Sequence, residues 1–199
     1  MGKIAVLMGK SAAGKDAVYK RMMAANRFGL HRVVPYTTRP IRAKEQEGRE
    51  YHFVTPAEAQ RMADAGKVIE QRTYQTIAGP WTYFTADDGQ IDEAHDYLVI
   101  GTPEAYMGFL DYFGAARLVP IYIYSDDDER LLRAIRREKK QETPNYAEVC
   151  RRFLADEKDF SEEALQAAGI TRRFYNRDLM QVMAEIEQYL IGELRWRES

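Results

Sequence analysis

The chain has 199 residues, 29 Lys and Arg against 31 Asp and Glu, and a formal net charge of −2. At roughly 150 residues per domain, that length predicts one core with an insertion and excludes two full domains. A chain that is 45% hydrophobic and 12% aromatic is neither disordered nor collagen-like, and its near-neutral balance gives no general pull on nucleic acid or an anionic membrane.

Ile4 to Met8 is an apolar run that reads as a buried strand. Such runs are far short of the roughly 20 residues needed to span a bilayer. The start, MGKIAVLMGK, is also too short in its apolar part for a signal peptide, and Val6 stands where a myristoylation motif needs Ser or Thr. The chain therefore reads as cytoplasmic. A helix from Asp16 to about Ala25 and a strand near Leu30 to Val34 complete a βαβ opening. Residues 36 to about 95 break this rhythm, with strands expected at Tyr51 to Val54, Lys67 to Tyr74 and Trp81 to Thr85, and one helix at Pro56 to Ala65. This is the expected insertion. The core then resumes with strands at Tyr97 to Ile100 and Leu118 to Tyr124 around a helix at Pro103 to Phe113, a short strand at Arg172 to Tyr175, and a closing helix at Leu179 to Leu194. Ser125 with Asp126, Asp127 and Asp128 reads as a cap and three capping acids at a helix start, and the basic stretch Arg130 to Lys140 ends that helix. The single Cys150 excludes an internal disulfide and reads as a packed helix residue, while His31, His52 and His95 are too scattered for a zinc site.

Directly after the first strand, Gly9, Lys10, Ser11, Ala12, Ala13, Gly14 and Lys15 fit GxxxxGK. Small residues between a strand and a helix let backbone amides wrap a phosphate at the helix N-terminus, with Lys15 reaching the β and γ oxygens of a bound nucleotide. Asp16 follows, where the motif asks for Ser or Thr to hold Mg²⁺. Its carboxylate can bind the metal directly or through water. It can equally be an acid favoured in the first turn of a helix.

Tyr36, Thr37, Thr38, Arg39, Pro40, Ile41 and Arg42, followed by Glu45, Gly48, Tyr51, Phe53 and Val54, resemble the TTRxPR…E…G…Y.FV signature of guanylate kinases, and the order of segments along nearly the whole chain is similar to that family's. The resemblance implies a P-loop NTPase fold of class α/β. Its parallel sheet core is flanked by helices at 1–35 and 96–199, with an inserted mixed α+β GMP-binding subdomain at 36–95 and a small lid at about 137–152. It also implies Mg²⁺-assisted transfer of a phosphoryl group from ATP to GMP or dGMP, with small-molecule partners and neither nucleic acid nor membrane. Arg39 and Arg42 offer two planar forks for a phosphate and Tyr51 adds a hydroxyl donor, which makes physical sense as a monophosphate site. Glu70 matches the family glutamate that accepts from the guanine edge, and Tyr83 and Thr85 fall where the family has a second phosphate tyrosine and a base contact. In the lid, Arg137 and Arg152 best match the arginines that close over the transferring phosphate, within a group that includes Arg133, Arg136 and Arg151.

Several positions depart from the pattern. Pro35 replaces a Ser, Phe84 a Gly, and Val99 and Gly101 stand where the family places acids near the metal and GMP. Asp16 is the candidate to compensate for those missing acids. Two other readings stay open: the same fold with another nucleotide or a phosphorylated sugar as acceptor, and a kinase-like binding module without catalysis. The intact Gly9, Gly14 and Lys15 argue against the last.

Overall fold

The computed structural model describes residues 1–42, 45–76 and 79–193. Five strands form a sheet in the order β2-β7-β1-β8-β9, all parallel: β1 (Ile4–Met8), β2 (His31–Arg32), β7 (Tyr97–Gly101), β8 (Leu118–Tyr124) and β9 (Arg173–Tyr175). A parallel strand buried on both faces needs a continuous apolar run, and every residue of β1 is fully buried. Ala5 and Leu7 join the core under α1 (Lys15–Ala25) and α7 (Leu179–Glu193), while Ile4, Val6 and Met8 join the core under α3 (Pro103–Phe113) and α6 (Glu162–Ala167). Met8 pairs with Gly101 on one side and Tyr122 on the other, so β1 and β7 finish level while β8 runs two residues further, to Tyr124. The connection from β1 runs to β2 on one side while that from β7 crosses to β8 on the other, and ligands bind at this kind of switch point, outside the carboxyl ends of the strands.

A second sheet, in the order β4-β3-β6-β5, is built from β3 (Tyr36–Thr37), β4 (His52–Phe53), β5 (Val68–Thr76) and β6 (Gly79–Ala86). Its helix α2 (Pro56–Asp64) starts with a Thr55/Glu58 capping box and Pro56 at the first turn. The sheet is anchored through α3. Ile69 enters the core beneath that helix, and a Cβ at Gly108 would lie 2.6 Å from Glu70 Cβ, so only glycine allows α3 this close to β5. The charge-rich helices α4 (Asp127–Glu138) and α5 (Tyr146–Asp159) pack on one another beside the loop that follows β1.

Four local expectations are corrected. The strand near Leu30 to Val34 is only His31–Arg32, because the Gln90 amide takes both backbone groups of Val34, accepting from its N–H at 2.8 Å and donating to its carbonyl at 3.2 Å. Ser125 does not cap α4. Asp126 is the capping residue, without a side-chain cap, and Ser125 Oγ donates toward Ala13 O and Asn176 O, each at 3.3 Å. Asp127 is no simple capping acid either, since it accepts from Arg130 Nε at 2.6 Å. Cys150 is exposed on α5, next in sequence to buried Val149. The expected end of the last helix, Leu194, lies outside the described residues.

Candidate active site

A cleft of about 1380 Å³ opens between the carboxyl ends of the core strands and the inner face of the second sheet, with α5 along a third side. Its floor is the loop after β1. Gly14 adopts φ 100° and Ala12 φ 63°, left-handed conformations that turn the chain sharply into α1. Left-handed backbone at a non-glycine residue such as Ala12 is strained, and strain of this kind concentrates at ligand sites. At Gly14 a Cβ would collide with the amide nitrogen of Asn176, which itself donates to Ala13 O at 2.8 Å. No side chain caps α1, so its first turn faces the cleft as an anion site.

Gly9, Ser11, Ala12, Lys15 and Asp16 line this floor. Lys10 is turned away and buried, donating to Glu157 Oε1 at 2.7 Å, and Ala13 and Gly14 form the back of the loop. Behind the loop lies a smaller recess of about 260 Å³, lined by Ser125, Arg133, Tyr175 and Asn176.

The opposite wall follows from strand alternation, which puts residues 70, 72, 74 and 76 of β5 on one face. Across the antiparallel pair, Glu70 opposes Thr85, Arg72 opposes Tyr83 and Tyr74 opposes Trp81. Glu70 is 7% exposed and accepts from Thr85 Oγ1 at 2.8 Å. Tyr51 and Tyr83 meet edge to face at 5.6 Å, beside exposed Arg42. Burial, with Tyr83 adding to it, pushes the Tyr51 hydroxyl above its ordinary pKa, so it stays a neutral donor. The cleft wall includes Arg42, Tyr51, Tyr83 and Thr85 together.

Arg39 is placed differently from the sequence expectation. It is 4% exposed, donates to both oxygens of Glu45 at 2.7 and 2.6 Å, and lies over the rings of Tyr51 and Phe53 at 5.0 and 5.4 Å. A guanidinium so held supports Tyr51 from beneath and does not face the cleft. Glu45 is held below the usual carboxylate range by its hydrogen bond from Arg39, against the opposing effect of burial.

On the third side, Arg137, Arg151 and Arg152 all line the cleft and are exposed. Arg151 donates to both Glu148 oxygens at 2.7 and 2.8 Å, a pairing that raises the guanidinium above its ordinary pKa. Among the cleft residues that escaped sequence reasoning are Arg72, Tyr74, Asp156 and Asp159. Only the period-2 alternation of β5 pointed to the first two. Asp159 is pushed up by burial, with the Asp156 and Glu104 charges adding to it.

Among the described residues no group of three or more His, Cys, Asp or Glu side chains could hold a metal ion by itself. Mg²⁺, however, commonly takes one or two carboxylates with the remaining ligands from phosphates and water, and Asp16 on the cleft floor supplies one. The end of β7 supplies none, and Arg72 NH1 donates to Thr102 Oγ1 there at 3.2 Å.

The fold and the loop define a P-loop NTPase-type α/β protein with a second, mixed sheet facing its phosphate loop. The sequence model of the guanylate kinase family matches residues 1–95. A guanylate kinase of Porphyromonas gingivalis is 25% identical over 194 residues, covering 94% of this chain and 96% of that protein. That of Paraburkholderia xenovorans is 24% identical over 192 residues, 91% of this chain and 77% of the other, and that of Mycobacterium leprae is 42% identical over a 69-residue stretch, 35% and 32% of the two chains. In structure, the guanylate kinase of Anaplasma phagocytophilum shares the fold with a TM-score of 0.69 at 18% identity, over 98% of this chain and 87% of that one. The chain is thus similar to guanylate kinases along nearly its whole length, and its first 95 residues match that family's model.

Proposed function

We propose that the protein transfers the γ-phosphoryl group of ATP to GMP or dGMP. The observation that carries this reading is Thr85, which lines the same cleft as the phosphate loop and donates to the buried Glu70 carboxylate behind it. At about 1380 Å³ the cleft exceeds the size that encloses one drug-sized ligand, which supports room for two nucleotides. A buried carboxylate accepts from the N1 and N2 donors of guanine, and adenine offers no such pair.

Each wall has a task. Lys15 and the amides at the start of α1 hold the donor phosphates. Arg42, Tyr51 and Tyr83 hold the acceptor phosphate, with Arg39 and Glu45 fixing Tyr51 from below. Arg137, with Arg151 and Arg152, faces the space between the two and is placed to stabilise charge on the transferring group. Mg²⁺, when bound at Asp16 and the donor phosphates, would neutralise charge on those oxygens. The acceptor phosphate oxygen is already an anion near neutral pH, so no side chain has to remove a proton. Positioning and electrostatics suffice.

A coupled ADP-release assay with ATP, Mg²⁺ and, in turn, GMP, dGMP, AMP, CMP and UMP tests this reading. Turnover confined to GMP and dGMP is the expected result. A second reading, another acceptor such as a phosphorylated sugar, is favoured by one observation: the end of β7 carries no acid and is met by the Arg72 cation. No turnover with any nucleoside monophosphate, alongside tight ATP binding, would favour it. The reading of Asp16 as a metal-linked carboxylate that compensates for the missing acids at 99 and 101 has its own test, since Asp16→Ala should alter the Mg²⁺ dependence of the rate.

A further inference from the structure

Arg72, in the middle of β5, lines the cleft opposite Tyr83 in register and two residues along the strand from Glu70. Its side chain is 14% exposed and that of Glu70 4%. Its NH1 is used on Thr102. Its Nε lies 3.5 Å from Glu70 Oε2, and neither of these two buried atoms has a hydrogen-bond partner. The two atoms face each other as a buried ion pair, yet each keeps an unfilled hydrogen-bonding position, and leaving such positions unfilled in a buried wall is costly. Such a pair is complementary to a group that presents an acceptor beside a donor.

We propose that Arg72 is a specificity-determining residue that reads the lactam edge of the acceptor base, a C=O adjacent to an N–H. Arg72 Nε–H donates to the carbonyl oxygen while Glu70 Oε2 accepts from the neighbouring N–H, and small side-chain shifts bring both into bonding distance. Guanine and hypoxanthine present this edge. Adenine presents the reverse order, an amine donor beside a bare ring nitrogen, which sets donor against donor at Arg72 and acceptor against acceptor at Glu70. The assignment rests on the reading of the protein as a nucleoside monophosphate kinase. It adds to that reading a cationic partner for the base, in a pocket where Pro35 brings no hydroxyl donor.

The test compares kcat/KM for GMP, IMP and AMP in the wild type, Arg72→Ala and Arg72→Lys, together with calorimetric Kd values for GMP and AMP. The selectivity ratio is internal to each preparation, so it does not depend on the fraction of folded protein. Arg72→Ala should lose about tenfold to a hundredfold of the GMP-over-AMP preference. The loss should be equal for GMP and IMP, should appear in KM more than kcat, and should leave the KM for ATP unchanged. Arg72→Lys should recover part of it. A variant that loses activity equally with all three acceptors, or that binds GMP better than the wild type, would overturn the assignment and leave the kinase reading intact. A wild type that neither binds nor phosphorylates any of the three would overturn both.

Discussion

The carboxylate of Asp156, on α5, accepts a 2.7 Å hydrogen bond from the backbone N–H of Ser11 in the phosphate loop. Glu157 beside it holds Lys10, and Arg130, 1% exposed, ties Asp127, Asp156 and Glu157 together. The helix that carries Arg151 and Arg152 is thereby latched to the loop, with an anion already on one of its amides.

A triphosphate that engages Ser11 N–H has to displace that carboxylate. Asp156→Asn removes the negative charge and keeps the shape. ATP should bind roughly three- to tenfold more tightly to the variant, as expected for relieving one like charge near a partly exposed anion site. Isothermal calorimetry measures it, and equal or weaker binding would mean that Asp156 keeps its hold on Ser11 when the nucleotide is bound.

The contact between α3 and β5 gives a second expectation. In Gly108→Ala the new methyl meets Glu70 Cβ at 2.6 Å, with Glu70 Cα and Ile69 O at 3.4 Å, so β5 has to shift. Overpacking of this kind costs about 1–3 kcal/mol. The KM for GMP should rise while the KM for ATP stays, because the displaced residue belongs to the acceptor wall. Steady-state kinetics with each substrate varied in turn checks the split.

Arg39 and Glu45 set a pH dependence with a definite sign. Glu45 has a folded-state pKa below the ordinary carboxylate value, chiefly through the Arg39 hydrogen bond. Its contribution to stability is therefore complete above the unfolded pKa of about 4.3 and fades as pH falls from there through the folded value. Urea midpoints of the wild type and Glu45→Gln should differ by a constant amount from neutral pH down to about pH 5, then converge. A difference that grows on acidification would contradict the clamp.

The arginines of α4 and α5 should act on the chemical step. Arg137→Ala is expected to lower kcat by about 10²- to 10³-fold, the scale for removing one donor to developing charge, with KM values little changed. Arg151→Ala should behave similarly to a smaller extent, because Glu148 already takes up much of its charge. Single-turnover kinetics separates these effects from product release, and a pure KM effect would place either side chain in ground-state binding.

Much of this architecture is local, and so was readable. A parallel strand buried on both faces must be an apolar run, which gave β1, β7 and β8 within a residue of their ends. The phosphate loop is one contiguous stretch whose small residues and glycines act through their own backbone. Glu70 was legible only as an acid in an expected strand, and the resemblance alone gave it a role. What the sequence left open depends on partners far along the chain. Arg39 turns from the cleft because Glu45 and two rings enclose it, Ser125 leaves its helix for Ala13 and Asn176, and Cys150 is exposed because α5 packs through other residues. Asp156 meets Ser11 and Arg72 meets Thr102 only after the helices and the second sheet are docked on the core. Hydrophobic period and loop chemistry are written in neighbouring residues. The pairing of buried charges is decided by which long-range contacts leave none of them unmatched, and that only the tertiary structure settles.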